Sequence, residues 1–90
     1  LELLRDTELV EQVCRARRKV VGTKQTLKEL ERGEVVLVLL AEDADAKIST
    51  TVANLAAAKG VKVSYIETMS ELGKICGIKV KAATAAIIEF

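Results

Sequence analysis

The sequence predicts an α/β fold, a three-layer α/β/α sandwich around a small mixed four-stranded sheet. Three observations lead there. Helix-like and strand-like stretches alternate along the chain, and the strand-like ones are apolar on both faces. The whole is ninety residues without a proline, a length suited to one core and little insertion beyond it. Helices alternating with doubly buried strands need a helix layer on each side of a sheet. A single domain over residues 1–90 is expected. Strand order is not readable from this pattern.

The elements follow in order. From about Thr7 to Val21, apolar residues fall at Leu9, Val13, Ala16 and Val20, and again at Val10, Cys14 and Val21. That spacing is an amphipathic helix, with Asp6 as its cap and basic residues crowded into its last turns, where positive charge suits the helix dipole. Gly22 ends it. A second helix runs from about Lys24 to Arg32, with Thr23 as N-cap and Gly33 past its end. Val35 to Leu40 is a β-branched apolar run of strand length. Ala41-Glu42-Asp43-Ala44-Asp45 opens a third helix to about Ala58, with Ile48, Val52, Leu55 and Ala56 on its apolar side. Lys59-Gly60 stop it. Val61 to Ile66 is a strand with partial alternation. Ser70 caps a short helix from about Glu71 to Cys76, ended by Gly77, and Ala83 to Ile88 is the last strand.

Absences exclude whole classes of function. The chain has no histidine, which removes imidazole bases and His-ligated metals. Cys14 and Cys76 form no C-x-x-C pair, and Cys and His together cannot supply the about four ligands of a structural zinc. No metal and no cofactor is expected. The two cysteines read as reduced thiols, with one disulfide between them left open. The longest apolar run, Val35 to Ala41, falls far short of the roughly 20 residues of a membrane span. No secretory signal is present, although the sequence opens at Leu1 without a methionine; the reduced thiols are what point to a cytoplasmic protein, and no membrane partner is expected. Only Tyr65 and Phe90 are aromatic, which leaves no stacking platform for single-stranded nucleic acid.

A net charge of +1 hides an asymmetry. From Gln12 to Lys28 there are six bases (Arg15, Arg17, Arg18, Lys19, Lys24, Lys28) and no acid, while the other 73 residues hold eight bases against thirteen acids. Such a patch suits a polyanion, or else forms a solvated helix face.

The most informative stretch is Gly22-Thr23-Lys24-Gln25-Thr26-Leu27-Lys28. Glycine lets another backbone come close, and the free N–H groups opening a helix attract anions. Lys24 and Lys28 lie one turn apart on a shared face. Gln25 adds a donor and an acceptor beside them. Two amines and an amide suit the guanine edge, which presents acceptors and an N–H donor. An ordinary Thr-capped surface helix would use the same residues.

This stretch resembles the RNA-contacting signature of the kink-turn-binding ribosomal proteins, the archaeal "seven-Ae" and eukaryotic "thirty-e" group. Ala41-Glu42-Asp43, Glu71-Leu72-Gly73-Lys74-Ile75-Cys76-Gly77-Ile78 and the Ala-rich final strand match in the same order. The likeness covers nearly the whole chain and is greatest to the small bacterial members and the "thirty-e" branch. It implies binding to a kink-turn, a sharp RNA bend flanked by tandem sheared G·A pairs, in the ribosome or in another structured RNA. Gly22 and Thr23 would approach the RNA backbone, with Lys24, Gln25 and Lys28 facing guanine edges. Ile78, Lys79 and Val80 would set apolar groups against an extruded base. Many relatives have Asn-Glu where this chain has Lys24-Gln25, and an acid at Lys79, so charge assistance from a carboxylate is missing here. Arg15, Arg17, Arg18 and Lys19 would neutralise phosphates drawn together by the kink.

Two rivals remain. One is a protein-interaction or assembly domain of the same fold without RNA binding. The other is an enzyme holding a metal at Glu42, Asp43 and Asp45, for which no base or nucleophile partner accompanies the acids. The acids read better as stabilisers of the third helix's first turn. Cys76 reads as a small buried residue. The expected protein is a monomer without catalytic residues.

Overall fold

A computed structural model of the protein describes residues 7–90, with side chains from residue 11 onward. Its elements are α1 (Thr7–Cys14), β1 (Arg18–Val21), α2 (Thr23–Arg32), β2 (Leu37–Ala41), α3 (Ala46–Ala58), β3 (Val63–Ile66), α4 (Met69–Ile75) and β4 (Thr84–Glu89). The four strands lie in the order β1-β4-β2-β3. Strands β2 and β3 are parallel, whereas β4 runs antiparallel to both its neighbours, so the sheet is mixed.

Period-two alternation divides the core between the two faces of this sheet. Leu37, Leu39, Ala41, Ile66, Ala85 and Ile87 meet Val13 of α1 and Leu72 of α4. Val38, Leu40, Ala86 and Ile88 meet Leu30 of α2 and Val52 and Ala56 of α3. Every residue of β2 is buried, as its unbroken apolar run predicts. Burying each of its leucines stabilises the fold by roughly 1.5–3 kcal/mol. The three-layer α/β/α sandwich is the one expected from the sequence.

Several local expectations are corrected. The first helix ends at Cys14, and Arg18–Val21 pairs with β4 instead of continuing it. The free edge of β4 offers hydrogen bonds there. A strand also buries Val20 and Val21 on opposite faces, in the two separate clusters. The positive charge expected at the end of α1 is supplied across the turn: Lys19 Nζ donates to the carbonyls of Val13 (3.3 Å) and Cys14 (3.0 Å). The proposed cap Asp6 and the side chains of Leu9 and Val10 lie outside the described residues.

The caps also differ. Gly22, not Thr23, precedes α2, and Thr23 is already helical. The acidic stretch is a turn rather than the start of α3, which begins at Ala46 under Asp45, whose carboxylate accepts from Lys47 N at 2.8 Å. Thr68, not Ser70, caps α4, with Oγ1 accepting from Glu71 N at 3.0 Å. Asp43 serves α4 too: its Oδ1 accepts from Met69 N at 2.8 Å, not from the first turn of α3.

Candidate nucleic-acid interface

The β1–α2 junction turns on Gly22, at φ 109° and ψ 151°, a conformation that L side chains rarely adopt. Gly22 N donates to the Thr84 carbonyl at 2.9 Å, and its own carbonyl accepts from Thr26 N at 3.0 Å. The first N–H groups of a helix have no partner within it. Glycine has no side chain to cap them, and no side-chain cap is present on α2. Thr26, Glu29 and Leu30 are buried, which turns Lys24, Gln25 and Lys28 to solvent on the other side.

The bond from Gly22 to Thr84 fixes what lies beside this opening. The start of β4, the end of β1 and the end of β2 meet at one end of the sheet, where Ala41 N donates to Ala83 O at 2.9 Å. The chain from Ile78 to Ala82 runs along α4, held by Ile78 N to Gly73 O (3.0 Å) and Ala82 N to Met69 O (3.1 Å). Gly73 makes this approach feasible. A Cβ there would overlap the carbonyl oxygen of Val80 and lie 3.2 Å from its carbon. Ile78 is half-buried against the core, whereas Lys79 is exposed and Val80 is 70% exposed. The 78–80 segment thus leads, through Ala82 and Ala83, into the Thr84 that holds Gly22, and Lys28 lies one turn into α2.

The remaining bases sit elsewhere. Arg18 pairs in register with Glu89 at the other end of β1, with Arg15 and Arg17 exposed in the turn before it. Four strand residues at about 3.3 Å each put Arg18 roughly 13 Å from Gly22. Lys19 is occupied with the α1 carbonyls.

Of the acidic rivals, Asp43 and Asp45 each cap a helix. Among the described residues no group of three or more His, Cys, Asp or Glu comes together as a metal site. Both cysteines are free thiols. Cys14 is exposed and donates to Ile75 O at 3.2 Å. Burial pushes the Cys76 thiol above its ordinary value, with Lys19 pulling the other way. No described helix is long and apolar enough to cross a membrane. Sequence reading took Gly73 only as part of a motif; its close packing against the Val80 carbonyl has no local signature.

The pattern defining the ribosomal protein L7Ae/L30e/S12e/Gadd45 family matches residues 7–90. An RNA-binding protein of Halalkalibacterium halodurans is 46% identical over 77 residues, covering 86% of this chain and 94% of that one. The large ribosomal subunit protein eL8 of Haloquadratum walsbyi is 39% identical over 90 residues, covering 99% of this chain and 68% of that one. Among solved structures, a 15.5 kD RNA-binding protein of Giardia lamblia superposes with a TM-score of 0.84 at 27% identity, over 98% of this chain and 79% of that one.

Proposed function

This chain belongs to the ribosomal protein L7Ae/L30e/S12e/Gadd45 family, and from that premise we propose a non-enzymatic RNA-binding protein that recognises and stabilises kink-turns. The observation that carries the reading is the start of α2 without a side-chain cap, tied through Gly22 to Thr84 at the start of β4, the strand that the 78–80 segment leads into. Relatives described as RNA-binding support the coarser half of it. The finer half rests on chemistry. Gly22 and Thr23 admit an RNA backbone to the open N–H groups. Lys24 and Lys28 donate to guanine O6 and N7, while the Gln25 amide oxygen accepts from guanine N–H. Ile78 and Val80 offer apolar surface to an unstacked base, with Lys79 between them. The outlying Arg15, Arg17, Arg18 and Lys19 reach phosphates further along the kinked arms.

The protein acts as one monomeric domain in the cytoplasm, on ribosomal or other structured RNA, with no metal or cofactor. The capping roles of Asp43 and Asp45 favour this over catalysis, since each carboxylate already serves a backbone N–H.

A gel-shift comparison of a kink-turn RNA with the same duplex lacking its G·A pairs tests the reading. Preference for the intact kink is expected. Gln25→Ala should remove about 1–3 kcal/mol of that preference, the scale of a good base-edge contact. Its stability should change by less than about 0.5 kcal/mol, because Gln25 is exposed. Equal ratios for Gln25→Ala and the parent would remove Gln25 from the reading face.

A further inference from the structure

We infer that Cys14 and Cys76 form a paired modification site, at which a low-molecular-weight disulfide converts the two thiols into one intramolecular disulfide. The bridge fastens the end of α1 to the end of α4. Neither cysteine has a part in the RNA-binding reading above, so the two stand or fall separately.

Geometry is the first argument. Cys14 is the last residue of α1, and Cys76 directly follows the last residue of α4. Val13 and Cys76 are buried in one core cluster, with Ile75 packed against it. Cys14 Sγ donates to the Ile75 carbonyl oxygen at 3.2 Å. That carbonyl belongs to the peptide unit ending at Cys76 Cα, and planar trans geometry sets its oxygen about 2.8 Å from that carbon. The Cys14 sulfur therefore lies within about 6 Å of Cys76 Cα. A disulfide needs Cβ atoms about 4 Å apart. Closing it asks for a turn of the exposed Cys14 side chain, at the loss of one weak S–H bond. Residues 15–17 lie outside helix and strand, which leaves the end of α1 without a rigid neighbour along the chain.

Reactivity is the second argument, because the two thiols differ in a way that orders the steps. Cys14 is exposed to a dissolved reagent, whereas Cys76 is buried. Burial holds the Cys76 thiol above its ordinary value, and the nearby Cys14 adds to that rise while Lys19 opposes it. Lys19 is itself anchored here, with Nζ 3.0 Å from the Cys14 carbonyl oxygen. First, the Cys14 thiolate attacks one sulfur of R–S–S–R, forming a mixed disulfide and releasing R–S⁻. Next, the Cys76 thiolate, favoured by the Lys19 ammonium, attacks the Cys14 sulfur and displaces the second R–S⁻. The two cysteine protons end on the two released thiols, and the two electrons that the cysteines lose reduce R–S–S–R. In a reducing compartment the pair rests as thiols and closes when dissolved disulfide accumulates.

The experiment incubates dilute native protein with excess oxidised glutathione and follows it by intact mass, peptide mapping and a non-reducing gel. The parent should lose two hydrogens and yield a peptide linking Cys14 to Cys76, and dithiothreitol should restore both thiols. Cys76→Ala should stop at the mixed disulfide on Cys14. Cys14→Ser, at an exposed position that should leave folding intact, should stay unmodified over the same time because Cys76 is buried. The bridged parent should melt higher by on the order of 10 °C, since the bridge closes a loop of about 60 residues in the unfolded chain. A parent that stops at the mixed disulfide, or that bridges only in urea, overturns the inference, because its native thiols are then out of each other's reach. Dimers linked between two molecules overturn it as well. So does a bridged form whose melting temperature is unchanged or lower, since the bond would then be forced on the fold.

Discussion

Toward the Arg18 end of β1 the fold partners two cations. Lys19 caps α1 through two carbonyls, and Arg32 on the neighbouring helix holds Glu29, while Arg18 shares only backbone register with Glu89. At the Gly22 end it withholds such partners. A glycine stands where a capping side chain would be, and Lys24, Gln25 and Lys28 are left to solvent. Both ends come from one acid-free run of sequence, yet four strand residues separate them by roughly 13 Å. Local charge therefore says little by itself about where a ligand sits. Cations that are already satisfied contribute to stability, and unsatisfied donors are what remain for a partner.

The sharpest way to break this comparison is at the glycines. Gly22→Ala meets no atom within 4 Å, so its cost is purely the backbone conformation at φ 109°. Holding a non-glycine residue there should cost about 1–3 kcal/mol. RNA affinity should fall further than the folded fraction explains, since relaxing that conformation redirects the opening of α2. Gly73→Ala has the opposite cause: its φ is ordinary, but the new Cβ overlaps the Val80 carbonyl. Overpacking of this kind costs about 1–3 kcal/mol and should push the 78–81 segment off α4. Thermal melts beside gel shifts read both effects. A Gly22→Ala protein with parental melting and parental binding would mean the junction is not built on that conformation.

Asp43 tests the next smaller effect. Its carboxylate bridges from the β2–α3 turn to Met69 N, so it orders the start of α4 without standing in the proposed contact. Asp43→Ala should cost about 1 kcal/mol, the usual value of a lost helix cap, in a urea titration. Asp43→Asn keeps an acceptor oxygen and should recover most of it. Kink-turn affinity, corrected for the folded fraction, should stay near the parent's. Lost affinity with unchanged stability would move Asp43 from scaffold to interface.

Particular residues show where sequence reasoning reached and where it stopped. The layers were readable because β2 and β4 are short apolar runs and α3 keeps its helical period. Strand β1 was not, because Val13, Ala16 and Val20 fit a helix as well as Val20 and Val21 fit a two-faced strand. Only the vacant edge of β4 decides between them. Capping was missed for a related reason. Thr23 and Ser70 are competent caps by type, and the backbone angles that select Gly22 and Thr68 are set by tertiary packing. The reach of Asp43 to a residue 26 positions away has no local signature at all. Of the candidate contact residues, those from Gly22 to Lys28 open α2, and Ile78 to Val80 precede the Thr84 that Gly22 bonds. The bases from Arg15 to Lys19 do not join them, because β1 intervenes.

The smallest expected effect is the one that sharpens the comparison most. Arg17→Ala/Arg18→Ala removes two exposed guanidinium groups, and the facing Glu89 is exposed too. Exposed side chains without a specific partner seldom move stability by more than about 0.5 kcal/mol, so melting should stay near the parent's. If the kinked RNA arms extend to this end, each arginine touching a phosphate adds about 0.9 to the salt slope. The double variant should then bind less steeply with salt and more weakly to every RNA, by a similar factor for intact and G·A-disrupted forms. That pattern differs from Gln25→Ala, which should change the ratio between RNAs, because phosphates carry charge and no base identity. An unchanged slope would confine the interface to the Gly22 end, with the arginines left to the solvated end of a short strand.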